Sequence, residues 1–214
     1  TIPWKQYEGD YPNTIEVRLN TTTRQDQRII SGSDWALDII KDTGSLGKVQ
    51  LTVGSLSAST QTVPLFDDEY YHIAVNRESG SEFTLYVKQG FQERIRNEVS
   101  TTLSATSASW ESGSSITINP AGTLNAKLDE FRLWSSALNE SVIENHTLLP
   151  DAINGNHNSA SSEDLIFRND FEYPKDRNSD VDIKNVALIQ TYATSSVASG
   201  FELVTTYPYQ YTPY

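Results

Sequence analysis

Alternation with a period of two dominates the chain. Over residues 14–20, Ile15, Val17 and Leu19 fall on one side and Glu16 and Arg18 on the other, the spacing of a strand with one buried face. The same beat returns at 35–41 (Trp35, Leu37, Ile39), 48–53 (Val49, Leu51, Val53) and 70–77 (Tyr71, Ile73, Val75). In 83–89 it places Phe83, Leu85 and Val87 inward and Thr84, Tyr86 and Lys88 outward. Short strands are predicted at 28–31, 61–65 and 115–119. The polar stretches 21–27 and 54–60 read as loops, and 95–103 reads equally as a weak strand or ordered loop. Gly32-Ser33, Asp42-Thr43-Gly44, Glu78-Ser79-Gly80-Ser81 and Pro120-Ala121-Gly122 are turn signals. Short strands punctuated in this way predict an all-β fold, an antiparallel sandwich or barrel.

One stretch breaks the pattern. Residues 128–143 read as a strand, a tight exit and one short helix after residue 139. Asn139 is predicted to cap the helix with its side-chain oxygen, and Glu140 sits where the helix dipole favours a negative charge. In the strand, Leu128 and Phe131 both call for burial, yet strict alternation sends them to opposite faces. A β-bulge near Asp129-Glu130, or cover on both faces, is therefore expected. Residues 1–13, with Trp4, Tyr7 and Tyr11, form an extended lead-in. A polar run follows the helix over 148–162. Strand character resumes at 161–173 and again at 186–191 and 201–207. The division expected is a lead-in (1–13), a sandwich domain (14–173) and a C-terminal extension (174–214) that completes or flanks the sandwich.

Composition narrows the function classes. The net charge of −12 repels phosphate backbones, which argues against a nucleic-acid partner. No apolar run reaches membrane-spanning length. There is no Cys, so neither a disulfide nor a thiolate metal site is available. There is also no Met, which points to a processed chain or a part of a longer one.

Candidate chemistry is sparse. Asp129 and Glu130 are adjacent on a strand and point to opposite faces, so a shared acid–base role on one substrate is not expected. Their predicted use is structural, capping the turn and bonding backbone amides. Asp67, Asp68 and Glu69 form an acidic loop, read as solvated, with calcium the minority reading. Asp176, Asn178, Asp180 and Asp182 alternate as in a calcium loop, but Val181 and Ala187 stand where such a loop needs Gly and Glu. His72, His146 and His157 are scattered, without zinc spacing. Trp35 and Trp134 are predicted core residues. Trp110, in a turn-rich stretch, is the better candidate to stack on a sugar. Asn20, Asn139 and Asn145 each begin a glycosylation-type triplet. No catalytic, cofactor or metal residue is assigned, and calcium is kept only as a weak alternative to no cofactor.

Residues 128–143, Leu-Asp-Glu-Phe-Arg-Leu-Trp-Ser-Ser-Ala-Leu-Asn-Glu-Ser-Val-Ile, resemble the closing signature of laminin G-like modules. Tyr70-Tyr71-His72-Ile73-Ala74-Val75 resembles an earlier strand of that family. Phe83-Thr84-Leu85-Tyr86-Val87-Lys88-Gln89-Gly90 resembles the next, with Gln89 where the family usually has an acidic residue. The resemblance covers roughly residues 14–150. It implies a concanavalin A-like jelly roll, a fold of matrix, bacterial-surface and bacteriophage virion proteins. The stretches around 164–174 and 207–209 resemble virion structural proteins of tailed phages more loosely. The function implied is non-enzymatic adhesion, decoration or particle assembly at an extracellular or virion surface. Its partners would be other subunits or neighbouring domains, and the alternative is a carbohydrate-binding module, with or without calcium.

Overall fold

The computed structural model describes residues 2–5, 11–156 and 164–171. Twelve strands and two helices are found there. They are β1 (Ile2–Pro3), β2 (Thr14–Asn20), β3 (Gln27–Ser31), β4 (Trp35–Lys41), β5 (Gly47–Val53), β6 (Leu56–Ser59), β7 (Tyr70–Ser79), β8 (Glu82–Phe91), β9 (Arg94–Ser104), α1 (Ser107–Trp110), β10 (Ser115–Ile118), β11 (Lys127–Trp134), α2 (Glu140–Leu148) and β12 (Leu165–Asn169). They build two six-stranded antiparallel sheets. The first has the order β1-β10-β3-β4-β5-β6 and the second β12-β11-β2-β7-β8-β9. The expected sandwich is the observed one.

The alternation read from the sequence becomes the interface between the sheets. Ile15, Val17 and Leu19 of β2, Tyr71, Ile73 and Val75 of β7, and Phe83, Leu85 and Val87 of β8 are all buried against Leu37, Ile39, Val49 and Leu51 from the other sheet. The lead-in contributes too, because β1 pairs with β10 and Trp4 is fully buried.

The conflict between Leu128 and Phe131 is resolved by a bulge. Leu128 pairs with Leu19 and Glu130 with Arg18, which leaves Asp129 as the extra residue. The insertion resets the phase, so Phe131 and Leu133 return to the core. The displaced Asp129 carboxylate pairs with the Arg18 guanidinium.

Two strand assignments shift. The strand expected at 61–65 is absent; Val63 makes only an isolated bridge to Gly47, and Pro64 has no N–H to give a ladder. The strand lies instead at β6, inside the stretch read as loop. β6 is an edge strand whose side chains are exposed or half-buried, so its backbone pairs without leaving an apolar pattern. The undecided stretch 95–103 is strand, the bulk of β9.

The largest correction concerns the second sheet's outer face. The alternation places Tyr86 and Lys88 outward and Glu16 opposite the buried positions, yet all three are buried. Helix α2 lies over β7, β8 and β9 and forms a second, smaller core of Ala74, Tyr86, Trp134, Leu138, Val142 and Ile143. A period-two pattern cannot register a third layer, because the helix takes a strand's polar side as readily as its apolar side when the polar groups find partners. Gly90 permits the close approach: a Cβ there would lie 2.8 Å from the Thr147 carbonyl oxygen.

Candidate functional site

Three polar constellations lie outside the main core. The first lies beneath α2 and centres on Glu16, which is 2 % exposed. Trp134 Nε1 donates to its Oε2 at 2.7 Å. His146 Nδ1 lies 2.9 Å from Oε1, and His72 Nε2 lies 3.1 Å from the same oxygen. His146 Nε2 faces the Asn154 carbonyl oxygen at 2.9 Å. Both His146 nitrogens thus face oxygens, one on Glu16 and one on the backbone after α2. Burial alone would raise the Glu16 carboxyl, but the charge and hydrogen bond of His146, then those of His72, hold it well below the usual carboxylate range. Burial pushes the His72 imidazole down, opposed in part by its bond to Glu16, and its Nδ1 meets Thr147 Oγ1 at 3.0 Å. Arg132 joins the cluster from β11, with Nη1 3.8 Å from Glu16 and Nη2 donating to the Pro150 carbonyl. The constellation has acid–base residues in the right company, but it is closed. Apart from Arg132 Nε, which makes no hydrogen bond, its donors and acceptors are spent on one another and on the backbone, and what they do is fasten α2 and the segment after it to the sheet.

The second constellation is Lys88 with Glu98, Glu140 and Glu144. The three carboxylates lie close enough to share a cation, but Lys88 Nζ already occupies the centre, 3.0 Å from Glu140 and 3.4 Å from Glu144 and also bonded to Glu98. Burial would lower the Lys88 ammonium, yet Glu98 and Glu140 hold it above its usual value. The protein supplies its own cation there.

The third is a cleft of about 350 Å³ at one end of the second sheet, lined by Asn20, Thr21, Thr22, Asp68, Asn125 and Lys127. It sits where β2 ends, β7 begins and β11 begins, with Asn20 in register with both Tyr70 and Lys127. Its walls are fixed from behind by Gln27, which is 1 % exposed. Gln27 Nε2 donates to the Thr23 carbonyl at 2.7 Å and to Thr21 Oγ1 at 3.2 Å, and its Oε1 accepts from Asn125 N at 2.8 Å. Thr21 Oγ1 donates to the Asn125 carbonyl at 2.7 Å. One buried amide thereby ties the 21–23 loop to the 123–125 loop. On the open side, Lys127 Nζ stands 3.7 Å from Asp68 Oδ1.

The residues singled out in the sequence are distributed as follows. Trp110 is not a sugar platform: it is fully buried, donates to the Pro12 carbonyl at 2.8 Å and packs with Trp4, Trp35 and Phe83. Its turn-rich surroundings hid one turn of helix, α1, that aims the ring inward. Trp35 and Trp134 are core residues, as expected. Asp129 and Glu130 bond guanidinium groups and not backbone amides; Glu130 is held by Arg168 and lies 3.2 Å from Arg132 Nε. Asp67 bonds the Glu69 amide at 3.1 Å. Asn139 stands at the N-cap of α2, but its side chain makes no capping bond; its backbone carbonyl takes the Val142 and Ile143 amides.

His72 and His146 are not scattered, since Glu16 gathers them across a separation no linear motif spans. Asn20 is too deeply buried to be a glycosylation acceptor, while Asn139 is exposed. His157 and the alternating Asp176–Asp182 run lie outside the described residues. Sequence reasoning missed Gln27 and Asn20 as builders of a cleft. The available signal was a polar residue at each end of otherwise apolar strands.

A family model described as the concanavalin A-like lectin/glucanases superfamily (Laminin_G_3) matches residues 7–144. No curated protein sequence matches the chain. Among solved structures, a native heptameric SAP-like pentraxin from Limulus polyphemus aligns at 10 % identity and TM-score 0.41, covering 63 % of this chain and 68 % of the pentraxin. A mutant of HCR D/C VPI 5995 aligns at 10 % identity and TM-score 0.38, covering 66 % of this chain and 38 % of that one.

Proposed function

Because the chain belongs to the concanavalin A-like lectin/glucanases superfamily, we propose that it is a non-enzymatic binding module of a larger cell-surface or virion protein, acting in adhesion, surface decoration or particle assembly. The observation that supports binding over catalysis is the fate of Glu16, His72 and His146. A general acid or base must reach its substrate's proton, directly or through one water. These groups are sealed beneath α2 and already paired. Asp129 and Glu130 are likewise engaged by arginines. In this reading residues 14–173 form the binding domain, 1–13 lead into it, and 174–214 extend it toward the rest of the larger protein.

Carbohydrate binding is the second reading. It is favoured by the polar cleft at the loop end of the second sheet. Both readings meet one experiment: the chain is applied to a glycan array with and without calcium, and the same glycans are assayed for reducing ends. Cross-linking mass spectrometry of the native particle or cell surface is run in parallel. Cross-links to other subunits, or retention on glycans, without release of reducing ends is the expected result. Release of reducing ends ends the non-enzymatic reading. A free monomer with neither cross-links nor glycan retention ends both.

A further inference from the structure

The four sheet edges are not guarded alike. A free edge is a row of unpaired N–H and C=O groups that invites another strand, and a short edge strand limits the invitation. β1 has two residues, β6 four and β12 five, whereas β9, at the far edge of the second sheet, has eleven. β8 pairs with one side of it; among the described residues no strand pairs with the other. Only its first part is guarded. Arg94 and Arg96 stand there, beside the register shift opposite Gln89 and Gly90, and a bulge or a long cation turns an incoming strand away. From Asn97 to Ser104 the strand keeps an unbroken register with β8 and contains no Pro, Gly, Lys or Arg. Its one carboxylate, Glu98, is already neutralised by Lys88.

The side chains of this stretch fit a second copy of themselves. Register with Gln89, Val87, Leu85 and Phe83 turns Asn97, Val99, Thr101 and Leu103 toward the core, and Glu98, Ser100, Thr102 and Ser104 away from it. Val99 is apolar yet only half-buried, because beyond it the sheet stops. An antiparallel partner must set core-facing residues opposite core-facing ones, so the allowed registers differ by two residues. With a two-fold axis at Thr101, Val99 of each copy faces Leu103 of the other, Ser100 faces Thr102, and Glu98 faces Ser104. With the axis at Ser100, Val99 would face Thr101 and Leu103 would face Asn97, setting both apolar side chains against polar ones. Apolar cross-strand pairs stabilise such a joint and like charges placed opposite each other weaken it; the Thr101 register has the first and none of the second. Leu56 of β6, 48 % exposed, belongs to the strand across the sandwich at the same rim.

We propose that β9 pairs antiparallel with β9 of a second copy of this chain, about a two-fold axis at Thr101, and joins their second sheets edge to edge. The interface uses the same surface on both copies and therefore closes as a dimer. Because core-facing rows meet core-facing rows, the axis stands across the sheets and both copies turn α2 to the same side. The proposal rests on reading the chain as a binding module of an assembly and adds the surface, the register and the partner.

The test uses the full chain, which has no Cys, so that one introduced thiol reports one position. Sedimentation velocity over a concentration series is expected to show the mass rising from 23.9 kDa toward twice that value. Thr101→Cys is expected to give a disulfide-linked dimer on mild oxidation, since at the axis the residue faces its own counterpart at a separation a disulfide can bridge. Glu98→Cys, which faces Ser104, is expected to give none. The double variant S100K/T102K, at two exposed positions, sets like charges opposite each other and is expected to weaken dimerisation about tenfold. S100K/T102E sets opposite charges there and is expected to restore it. The cysteine variants carry the test if S100K/T102K does not fold. A monomer at every concentration overturns the proposal. So does cross-linking of Glu98→Cys as readily as of Thr101→Cys, or dimerisation of S100K/T102K at the parent's strength. A monomer in which the amides on both sides of β9 resist hydrogen exchange gives the edge to another segment of the same chain and equally overturns it. Cross-links to other subunits through other surfaces would then leave the binding-module reading standing.

Discussion

Glu16 sits on a strand whose pattern sends it to solvent, and the fold sends it into the interior. Its carboxylate is stable there because Trp134, His72 and His146 each point an N–H at it. Removing one partner of a buried charge pair typically costs 3–5 kcal/mol. Glu16→Gln is therefore expected to lower unfolding stability by about 3 kcal/mol, read as a reduced urea midpoint with an unchanged slope.

The same cluster sets a pH dependence. The His72 folded value lies below 6.5, so the unfolded chain takes up that proton first. Its contribution is fully present above about 6.5 and drains as pH falls through the folded value. The Glu16 folded value lies well below 4.5, so its contribution is present above 4.5 and is lost on further acidification. Stability is expected to fall steadily from neutral pH downward, and His72→Asn should flatten the upper part of that slope in urea titrations at a series of pH values. None of this was legible in the sequence. Glu16 and His146 are separated by most of the domain, and the coincidence that unites them with His72 is created only when α2 folds back.

At the scale of elements, the bulge in β11 shows what local reasoning can reach. The demand that Leu128 and Phe131 both be buried predicts an extra residue between them, and Asp129 is that residue. Substitution and deletion should differ sharply there. Asp129→Ala loses a partly exposed ion pair with Arg18 and is expected to change stability by under about 1 kcal/mol. Deleting Asp129 moves either Leu128 or Phe131 to the wrong face, and the product is expected to lose cooperative thermal unfolding by circular dichroism.

Helix α2 itself was visible as an element, but its seat was not. The sign lay in Gly90, near the end of β8, where the strand also shifts register against β9. Gly90→Ala would set a Cβ 2.8 Å from the Thr147 carbonyl and is expected to cost about 1–3 kcal/mol. Faster hydrogen exchange at the amides of the helix's last turn would report the displacement. β6 stayed hidden for a different reason: an edge strand without a buried face has no hydrophobic signature to read.

For the whole molecule, the two-sheet architecture was legible because nearly every strand of the interior obeys one beat. The cleft was not, because it is assembled from strand ends and loops whose polar residues look like ordinary turns. Trp110 illustrates the difference, since a turn-rich neighbourhood suggested exposure and the helical turn α1 delivers burial. All four tryptophans are buried, and none lines the cleft. Intrinsic fluorescence should accordingly be blue-shifted in the folded chain and red-shift on unfolding. It should remain unchanged when a saccharide occupies the cleft. A quench on sugar addition would place a ring at the binding surface and contradict this arrangement.

Helix α2 also gives the sandwich a front and a back. Over β7, β8 and β9 the second sheet carries a helix fastened by buried charges, whereas the outer side of the first sheet presents Arg28, Gln50, Thr52, Ser57 and Ser59, all exposed or half-buried. A flat neighbour can lie against the first face and not against the second. Copies or companion domains stacked along such a module would share one sense of direction, so a row built from it would have distinguishable ends.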